Sequence, residues 1–161
     1  MNRADHEIRI TPSILDRLID EDPNVSSEAP ASRQRSLAQL KGAVKRDLEW
    51  LLNTRQTVGG IPDGLQELSH SLAAYGLPDF STASLKSPSD QARMQRTLEV
   101  AIRSFEPRLD DVKVTITTVR ATDQKMRFHI EARLKVEPAP EPVSFDTVLQ
   151  VANSQYVVKA E

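Results

Sequence analysis

The sequence has 161 residues, 39% of them hydrophobic, and a formal net charge of −2. This length fits one domain of ordinary size, and the small negative charge gives no basic field of the kind that nucleic-acid-binding domains carry. Zero cysteines exclude a disulfide framework and a thiolate metal site, and neither a signal-peptide pattern nor an apolar run of roughly 18 residues is present, so we expect a cytoplasmic protein without direct membrane insertion.

Residues 1–31 are predicted to form a flexible N-terminal arm in front of a domain that spans residues 32–161. A threonine–proline pair precedes the segment 13–19, whose one apolar side predicts one or two turns of helix. A helix of this length is marginal in isolation. The stretch 21–30 is acidic, serine-bearing and punctuated by prolines, which is typical of a solvated linker. We therefore expect the arm to become ordered only against another surface.

Two helices are predicted in the first half of the domain. The first begins near residue 32, because apolar residues recur there at intervals of three and four: Leu37, Leu40, Val44, Leu48, Leu51 and Leu52. Pro62 and Asp63 open the second helix, and Gly76 is its expected left-handed stop. The predicted apolar stripe of this second helix consists of Leu65, Leu68, Leu72 and Tyr75.

A third helix begins at Ser87, which is a capping residue followed by proline in the first helical position. It must stop at about Phe105, because Pro107 cannot continue a hydrogen-bonded helix and pushes Glu106 toward an extended backbone. The sequence thus predicts a stiff corner, residues 106–108, where the helix gives way to the C-terminal third of the chain.

Beyond this corner the apolar period switches to two, which indicates half-buried antiparallel strands. The alternating segments are 112–119, 126–136 and 143–151, and a last short strand at 155–159 is left open. The loop 120–124 is of hairpin length, so the first two strands are expected to pair. The predicted fold class is α+β: three helices packed on a three- or four-stranded antiparallel sheet, with a flexible N-terminal arm.

Four segments occur in an order that resembles one protein family. They are Ser-Ile-Leu-Asp-Arg-Leu at 13–18, Arg-Asp-Leu-Glu-Trp-Leu-Leu-Asn-Thr-Arg at 46–55, Tyr-Gly-Leu-Pro-Asp-Phe at 75–80 and Phe-Glu-Pro-Arg-Leu at 105–109. The family is that of the baseplate wedge proteins of contractile injection machines, which has also carried a lysozyme-like label. It includes the type VI secretion subunit TssE and its counterparts in contractile-tailed phages, and the arm segment resembles the secretion subunit more.

The resemblance implies a structural part and not an enzyme. Its members sit in a cytoplasmic wedge with the subunits TssF and TssG and offer the platform on which the contractile sheath of TssB and TssC begins to assemble. Contacts with other baseplate and spike components stay open. An unpaired outer strand suits such a role, because an extended segment of another chain can add to it. The outer strands are expected at 112–119 and 143–151.

Glu106, Pro107 and Arg108 form the predicted centre of partner contact. Glu106 and Arg108 lie two apart on extended chain and are expected to point the same way. By the resemblance, they contact the helical core of the wedge, where an arginine can make a two-pronged bond. In the alternative, Arg108 pairs with Glu106 or Asp110 and only holds the corner together.

The remaining site residues lie in the arm and in the first long helix. Trp50 falls just off the apolar stripe, so it is either a half-exposed anchor of the interface type or a core residue. Asp47 and Arg55 are predicted to be structural: Asp47 bonds toward the arm or the corner, and Arg55 caps helix carbonyls. By the resemblance, the partner-binding residues also include Leu15, Asp16 and Arg17.

Two alternative functions are a generic cytoplasmic adaptor domain and a lysozyme-like glycoside hydrolase. A hydrolase needs two carboxyl groups roughly 5 to 9.5 Å apart, whereas Asp47 and Glu49 on one helix diverge by about 200°. The chain also has only 4% aromatic residues to line a sugar cleft. No catalytic residue is predicted. No metal or cofactor is expected, because the three histidines lack ligand spacing, and the mixed charges of 127–135 make a poor track for nucleic acid.

Overall fold

The computed structural model describes residues 10, 12–19, 33–56, 64–80, 83–84, 87–120, 125–150 and 155–160. Within these ranges the helices are α1 (Ile14–Leu18), α2 (Arg33–Asn53), α3 (Gln66–Ser69) and α4 (Pro88–Phe105), with a 3-10 turn at Leu72–Ala74. The strands are β1 (Leu109–Arg120), β2 (Lys125–Leu134), β3 (Glu141–Gln150) and β4 (Gln155–Ala160). They form one antiparallel sheet in the order β1-β2-β3-β4, which confirms the α+β class.

α2 and α4 lie on one face of the sheet, α2 against β4 and α4 against β1. The periodicity predicted for α2 is confirmed, since Val44, Leu48 and Leu51 are all buried. One hydrophobic core fills the space between helices and sheet, and burial of each large side chain there contributes roughly 1.5–3 kcal/mol. The strands supply the core with alternate residues: Val112, Val114, Met126, Phe128, Ile130, Val143, Phe145, Tyr156 and Val158.

α4 has the limits that the sequence predicts. The Ser87 hydroxyl accepts from the amide of Asp90, and Pro88 occupies the first helical position. The helix ends at Phe105, where the amide of Glu106 closes the last turn on the carbonyl of Ile102 at 2.8 Å. Pro107 follows directly, and the chain enters β1 two residues later.

The structure shows how many strands the sheet has and which of them are the outer strands. β4 is present, so the sheet has four strands, and β1 pairs with β2 as expected. β3 is paired with β2 on one side and with β4 on the other. The expectation of an outer strand at 143–151 is therefore wrong, and the outer strands are β1 and β4. The loop residues 121–124 and the turn at 151–154 lie outside the described residues.

The second predicted helix is replaced by two short pieces, α3 and the 3-10 turn. Its expected apolar stripe faces water: Leu65 and Leu68 are exposed, and Leu72 is 87% exposed. The core between α2, α4 and the sheet takes Ala74 and Leu77 from this segment instead. An apolar stripe of helical spacing stabilises a helix only where an apolar surface faces it. Residues 62–63, the predicted start, lie outside the described part of the chain.

Gly76 allows this segment to approach the end of α2. The amide of Leu77 donates to the carbonyl of Thr54 at 2.8 Å, and the amide of Gln56 donates to the carbonyl of Leu77 at 2.9 Å. Gly76 has φ +103°, as the expected left-handed position requires, and a Cβ atom there would lie 2.5 Å from the Thr54 carbonyl oxygen. The glycine thus lets this short backbone bridge form and keeps Leu77 in the core.

α1 is the described helix of the predicted arm. Its capping residue is Ser13, whose hydroxyl accepts from the amide of Asp16 while the Asp16 carboxylate accepts from the amide of Ser13. The linker at 21–30 lies outside the described residues, and both the flexibility of the arm and the domain boundary at residue 32 stay predictions. In the described ranges, no helix is both long and apolar enough to cross a lipid bilayer.

We predict that Gly76→Ala destabilises the protein by at least about 2 kcal/mol, because it adds a positive-φ penalty to a backbone clash. Gly42→Ala is the matched control. Gly42 lies within α2, and a Cβ atom there meets nothing within 4 Å. This substitution should stabilise the protein by about 0.5–1 kcal/mol, since alanine is the better helix former. Urea unfolding measures both changes, and equal effects would contradict the role of Gly76.

Candidate functional site

Glu106 at the corner is bonded within the chain and closed to solvent. The residue is 3% exposed. Arg108 donates from Nε to Glu106 Oε1 at 2.6 Å, from its second guanidinium nitrogen to Oε2, and from its amide to Oε1 at 3.2 Å. The expectation that both side chains face a neighbouring subunit is therefore wrong for Glu106, because a buried carboxylate requires partners of its own. The geometry corresponds to the alternative in which Arg108 pairs with Glu106.

The corner is connected to the arm through α2. Arg108 also donates to Asp47 Oδ2 at 2.6 Å, and Arg46 Nε donates to Asp47 Oδ1 at 2.8 Å. The other arm of the Arg46 guanidinium donates to Asp16 Oδ1 of α1 at 2.7 Å. Asp47 thus bonds to the corner directly and to the arm through Arg46. We call this alternating series, Glu106–Arg108–Asp47–Arg46–Asp16, the charged row.

The bonds of the charged row set the ionisation of three of its members. Hydrogen bonds to Glu106 raise the pKa of Arg108, and they outweigh its burial. Burial alone would lower the pKa of Arg46, but the carboxylates of Asp16 and Asp47 raise it. Burial would raise the pKa of Asp16, yet the hydrogen bonds from Ser13 and Arg46 leave it below its usual value. Both arginines and Asp16 are therefore held in their charged forms.

A surface groove lies beside the charged row, and we call it the corner groove. Its lining includes Leu15 of α1, Trp50 of α2, Tyr75, and the corner residues Pro107 and Arg108. Trp50 is 50% exposed, which agrees with the half-exposed alternative and not with a core tryptophan. Within the chain its ring is covered on one side by the guanidinium of Arg46, 5.0 Å from the ring centroid.

Tyr75 forms another part of the groove wall. Its ring meets the ring of Phe105 edge to face, with 5.3 Å between the centroids. Burial raises the pKa of the Tyr75 phenol, and the negative charges of Asp47 and Glu106 raise it further. The phenol is thus kept neutral beside the charged row, and its ring joins the end of α4 to the groove.

The groove and the charged row bring together most of the residues that the sequence singled out. Arg55 and Arg17 are the exceptions. Arg55 pairs with Asp79 at 3.4 Å, and both side chains of that pair are exposed. Arg55 was expected to cap helix carbonyls, but near the end of α2 the carbonyls of Glu49 and Trp50 accept from the side chains of Asn53 and Thr54. The gathered residues are Leu15, Asp16, Asp47, Trp50, Glu106, Pro107 and Arg108. Arg17 lies on α1 and is exposed.

Sequence reasoning missed Arg46 and Tyr75. Both stand inside segments that carry the resemblance, but the sequence assigned neither to the site, and Tyr75 only to the apolar stripe of the second helix. The usable signal for Arg46 was its spacing, since it lies four residues before Trp50 and one before Asp47, and residues four apart on a helix are neighbours. Nothing in the sequence places Tyr75 beside Phe105. In the described part of the chain, no three carboxylate, histidine or cysteine side chains are grouped as a metal ion would need.

Comparison with known proteins adds one match. The family model described as baseplate wedge protein gp25 matches residues 38–139. The match runs from within α2 to the loop after β2, so it contains Asp47, Trp50 and the whole corner, while α1 lies outside it. No curated protein matches the chain.

We predict that Arg108→Met costs about 3 kcal/mol in the free energy of unfolding, because it leaves the buried Glu106 carboxylate without its partner. Adding Glu106→Gln to the same chain should recover part of this loss by removing the buried charge. Arg55→Met is the matched control, since it breaks an exposed ion pair and should cost less than about 1 kcal/mol. Equal losses for Arg108→Met and Arg55→Met in urea titrations would show that the corner pair does not stabilise the monomer.

We predict that α1 loosens in acid before the rest of the protein unfolds. The folded-state pKa of Asp16 lies below the ordinary 3.8, so its stabilising bonds are fully present above that value and are lost as the pH falls through the folded-state pKa. Amide NMR signals of residues 13–18 should move toward unfolded positions as the pH falls from about 5 to about 2. Asp16→Asn should remove this transition, and an unchanged transition in that variant would contradict the assignment to Asp16.

Proposed function

Because the chain belongs to the structural family of baseplate wedge protein gp25, we propose that it is the wedge subunit of a type VI secretion baseplate. The family makes it a structural component of a contractile baseplate. The choice of the type VI machine rests on the segment 13–18, which resembles the secretion subunit TssE. In this proposal the protein works in the cytoplasm, and its partners are TssF, TssG and the sheath proteins TssB and TssC.

The proposed docking surface for TssF and TssG is the corner groove with its rim. The single observation that supports it best is that separate matched segments of the chain meet there: Leu15 from the arm, Trp50 from α2, Tyr75, and Pro107 at the corner. Half-exposed aromatic side chains and arginines are enriched at interface centres. The charged row holds this surface in one arrangement before a partner arrives, which reduces the entropy lost on binding.

The proposed platform for the sheath is an outer edge of the sheet, where another chain can add a strand. Part of each edge is already occupied by helix side chains. On β1, Glu99 accepts from the amide of Val114 at 3.0 Å, and Arg103 donates to the carbonyl of Val112. On β4, the side-chain amide of Asn53 accepts from the Tyr156 amide at 2.8 Å and donates to its carbonyl at 2.9 Å. We therefore propose that another chain adds its strand along the parts of β1 or β4 whose backbone groups are not bonded by these helix side chains.

A glycoside hydrolase receives no support from the site. Glu106 is buried, and both Glu106 and Asp47 are bonded to Arg108, so neither carboxylate is presented to a substrate in the corner groove. Catalysis of this kind needs two carboxyl groups that face the same glycosidic bond. A generic adaptor domain is the remaining rival, and the identity of the captured partners separates it from a wedge subunit.

We predict that the full chain co-purifies with TssF and TssG, and that a strain lacking it forms no fluorescent TssB–TssC sheaths until the gene is restored. Arg108→Met with Glu106→Gln should weaken capture of TssF and TssG by the folded chain, because it breaks the charged row at Asp47 and changes a side chain that lines the corner groove. Leu72→Ser is the control substitution, because Leu72 is exposed but lies outside the groove, and it should leave sheath formation unchanged. Normal sheaths in the strain without the protein would contradict the proposed platform role.

A further inference from the structure

The outer strand β1 has the composition of a segment that pairs readily with copies of itself. Residues 112–117 are Val-Lys-Val-Thr-Ile-Thr, so all but the lysine are β-branched, and the lysine is the one charge. A segment with high β-propensity, low net charge and neither proline nor glycine is typical of strands that self-associate. β1 is also long, with 12 residues. A long outer strand of this kind offers a row of backbone donors and acceptors to which a second chain can add.

Two side chains of α4 bond the free edge of β1. Glu99 Oε1 accepts from the amide of Val114 at 3.0 Å, and a terminal guanidinium nitrogen of Arg103 donates to the carbonyl of Val112. The other carboxylate oxygen, Glu99 Oε2, lies 3.7 Å from that same guanidinium nitrogen. The two side chains and the backbone from Val112 to Val114 thus form a closed ring of polar contacts. We call Glu99 and Arg103 the edge guard.

The edge guard replaces the backbone groups of a neighbouring strand. The Val112 carbonyl and the Val114 amide flank Lys113, whose position is paired with Glu131 of β2 on the other side. They are the acceptor and the donor that an added strand would bond here. In the edge guard, a guanidinium takes the place of the N–H group and a carboxylate takes the place of the C=O group. Hydrogen bonds to ionised groups are stronger than those between neutral peptides, so an incoming strand would displace better partners than itself.

The outer strand β4 is bonded in the same manner. The side-chain amide of Asn53 accepts from the backbone amide of Tyr156 at 2.8 Å and donates to its carbonyl at 2.9 Å. A side-chain amide reproduces both the donor and the acceptor of a peptide group. Side chains of two different helices, α4 and α2, therefore replace a missing strand at the two edges of one sheet.

The position of the edge guard matches the regular part of β1. The pairing of β1 with β2 is irregular between Asp110 and Lys113 and again between Ile116 and Thr118. Irregularities of this kind interrupt an edge and hinder the addition of a strand. The longest run of unbroken register is 113–116. The edge guard bonds Val114 within this run and Val112 directly before it, so it closes the part of the edge that is best suited to pairing.

We propose that the edge guard keeps β1 from pairing with the β1 strand of a second copy of this chain. The second copy is the occupant that the composition favours, because residues 112–117 of each copy present the same β-branched side chains and a single lysine. Antiparallel pairing of two β1 strands about a two-fold axis would join two four-stranded sheets into one. The edge guard acts on the free chain, before any other subunit binds, and thus goes beyond the proposed role in a baseplate.

The test follows the association state of the full chain by sedimentation velocity over a range of concentrations. We expect the wild-type chain to stay monomeric. Glu99→Ala with Arg103→Ala opens the edge and leaves the net charge unchanged. This double variant should self-associate with a dissociation constant at least about tenfold below that of wild type, because bonds to charged groups no longer oppose the pairing. Glu99→Gln keeps an acceptor for the Val114 amide and should stay close to wild type.

Two control variants separate an opened edge from a loss of stability. Gly76→Ala destabilises the fold at the Thr54 carbonyl and leaves β1 unchanged, so the folded variant should stay monomeric. Thr115→Lys is added to the double variant and places a second lysine on the exposed side of β1. It should restore the monomer, because lysine on an edge strand opposes pairing. Circular dichroism confirms that each variant is folded before it is compared.

A spin label locates the contact. The chain has no cysteine, so Thr117→Cys provides a single attachment site on the exposed side of β1. In the double variant, the label at residue 117 should show spin–spin broadening as the chain associates. Val100→Cys is the control position, since Val100 is 61% exposed on α4. Its label should remain sharp.

Several outcomes would overturn the proposal. They are a double variant as monomeric as wild type, equal association of Gly76→Ala, no effect of Thr115→Lys, and broadening at residue 100 without broadening at residue 117. A wild-type chain that already associates through β1 would show that the edge guard does not close the edge. If the double variant does not fold, Arg103→Ala alone is compared with wild type, because this side chain is 55% exposed and its loss frees the Val112 carbonyl.

Discussion

The bond between Arg108 and the buried Glu106 is the constraint on which the rest of this structure depends. α4 must stop at Phe105 because Pro107 cannot continue it, and the turn that follows places a carboxylate against the core. That carboxylate is stable there only because a guanidinium lies beside it. The same guanidinium bonds Asp47, so one interaction connects the end of α4, the start of β1 and the middle of α2. Arg46 extends the connection to α1.

Features governed by local chemistry were readable from the sequence. The limits of α4 follow from a capping serine and two prolines, and the strands follow from a period of two. The apolar stripe of α2 predicted its buried side correctly, because the hydrophobic core lies opposite that stripe. The segment 64–75 has a similar stripe, but no apolar surface faces it, and the spacing of Leu65, Leu68 and Leu72 alone could not reveal that. The number of strands was left open because 151–154 gives only a weak turn signal before β4.

The sequence predicted which segments contribute to the candidate site, but it did not predict how their side chains contact one another. The sequence singled out Asp47, Trp50 and the corner, and they do meet. The pairing of Arg108 with Glu106 was one of the alternatives that the sequence offered, but the bond from Arg108 to Asp47 joins residues 61 positions apart and could not be read from neighbours in sequence. A division of roles follows from the geometry. The side chains of the charged row are bonded to one another and set the shape of the surface, while Ile14, Leu15, Leu18 and Arg17 are exposed on its outside.

The two hydrogen bonds between the Asn53 side chain and the backbone of Tyr156 have a consequence for folding during synthesis. α2 comes early in the described chain and β4 comes last, and the two residues are separated by about a hundred positions. While the polypeptide is still leaving the ribosome, the apolar side of α2 has no β4 to cover it, and contacts of such long sequence range form late. The core therefore closes only once synthesis has reached β4. A chain interrupted before that strand would present α2 uncovered to chaperones and would not enter an assembly as a finished part.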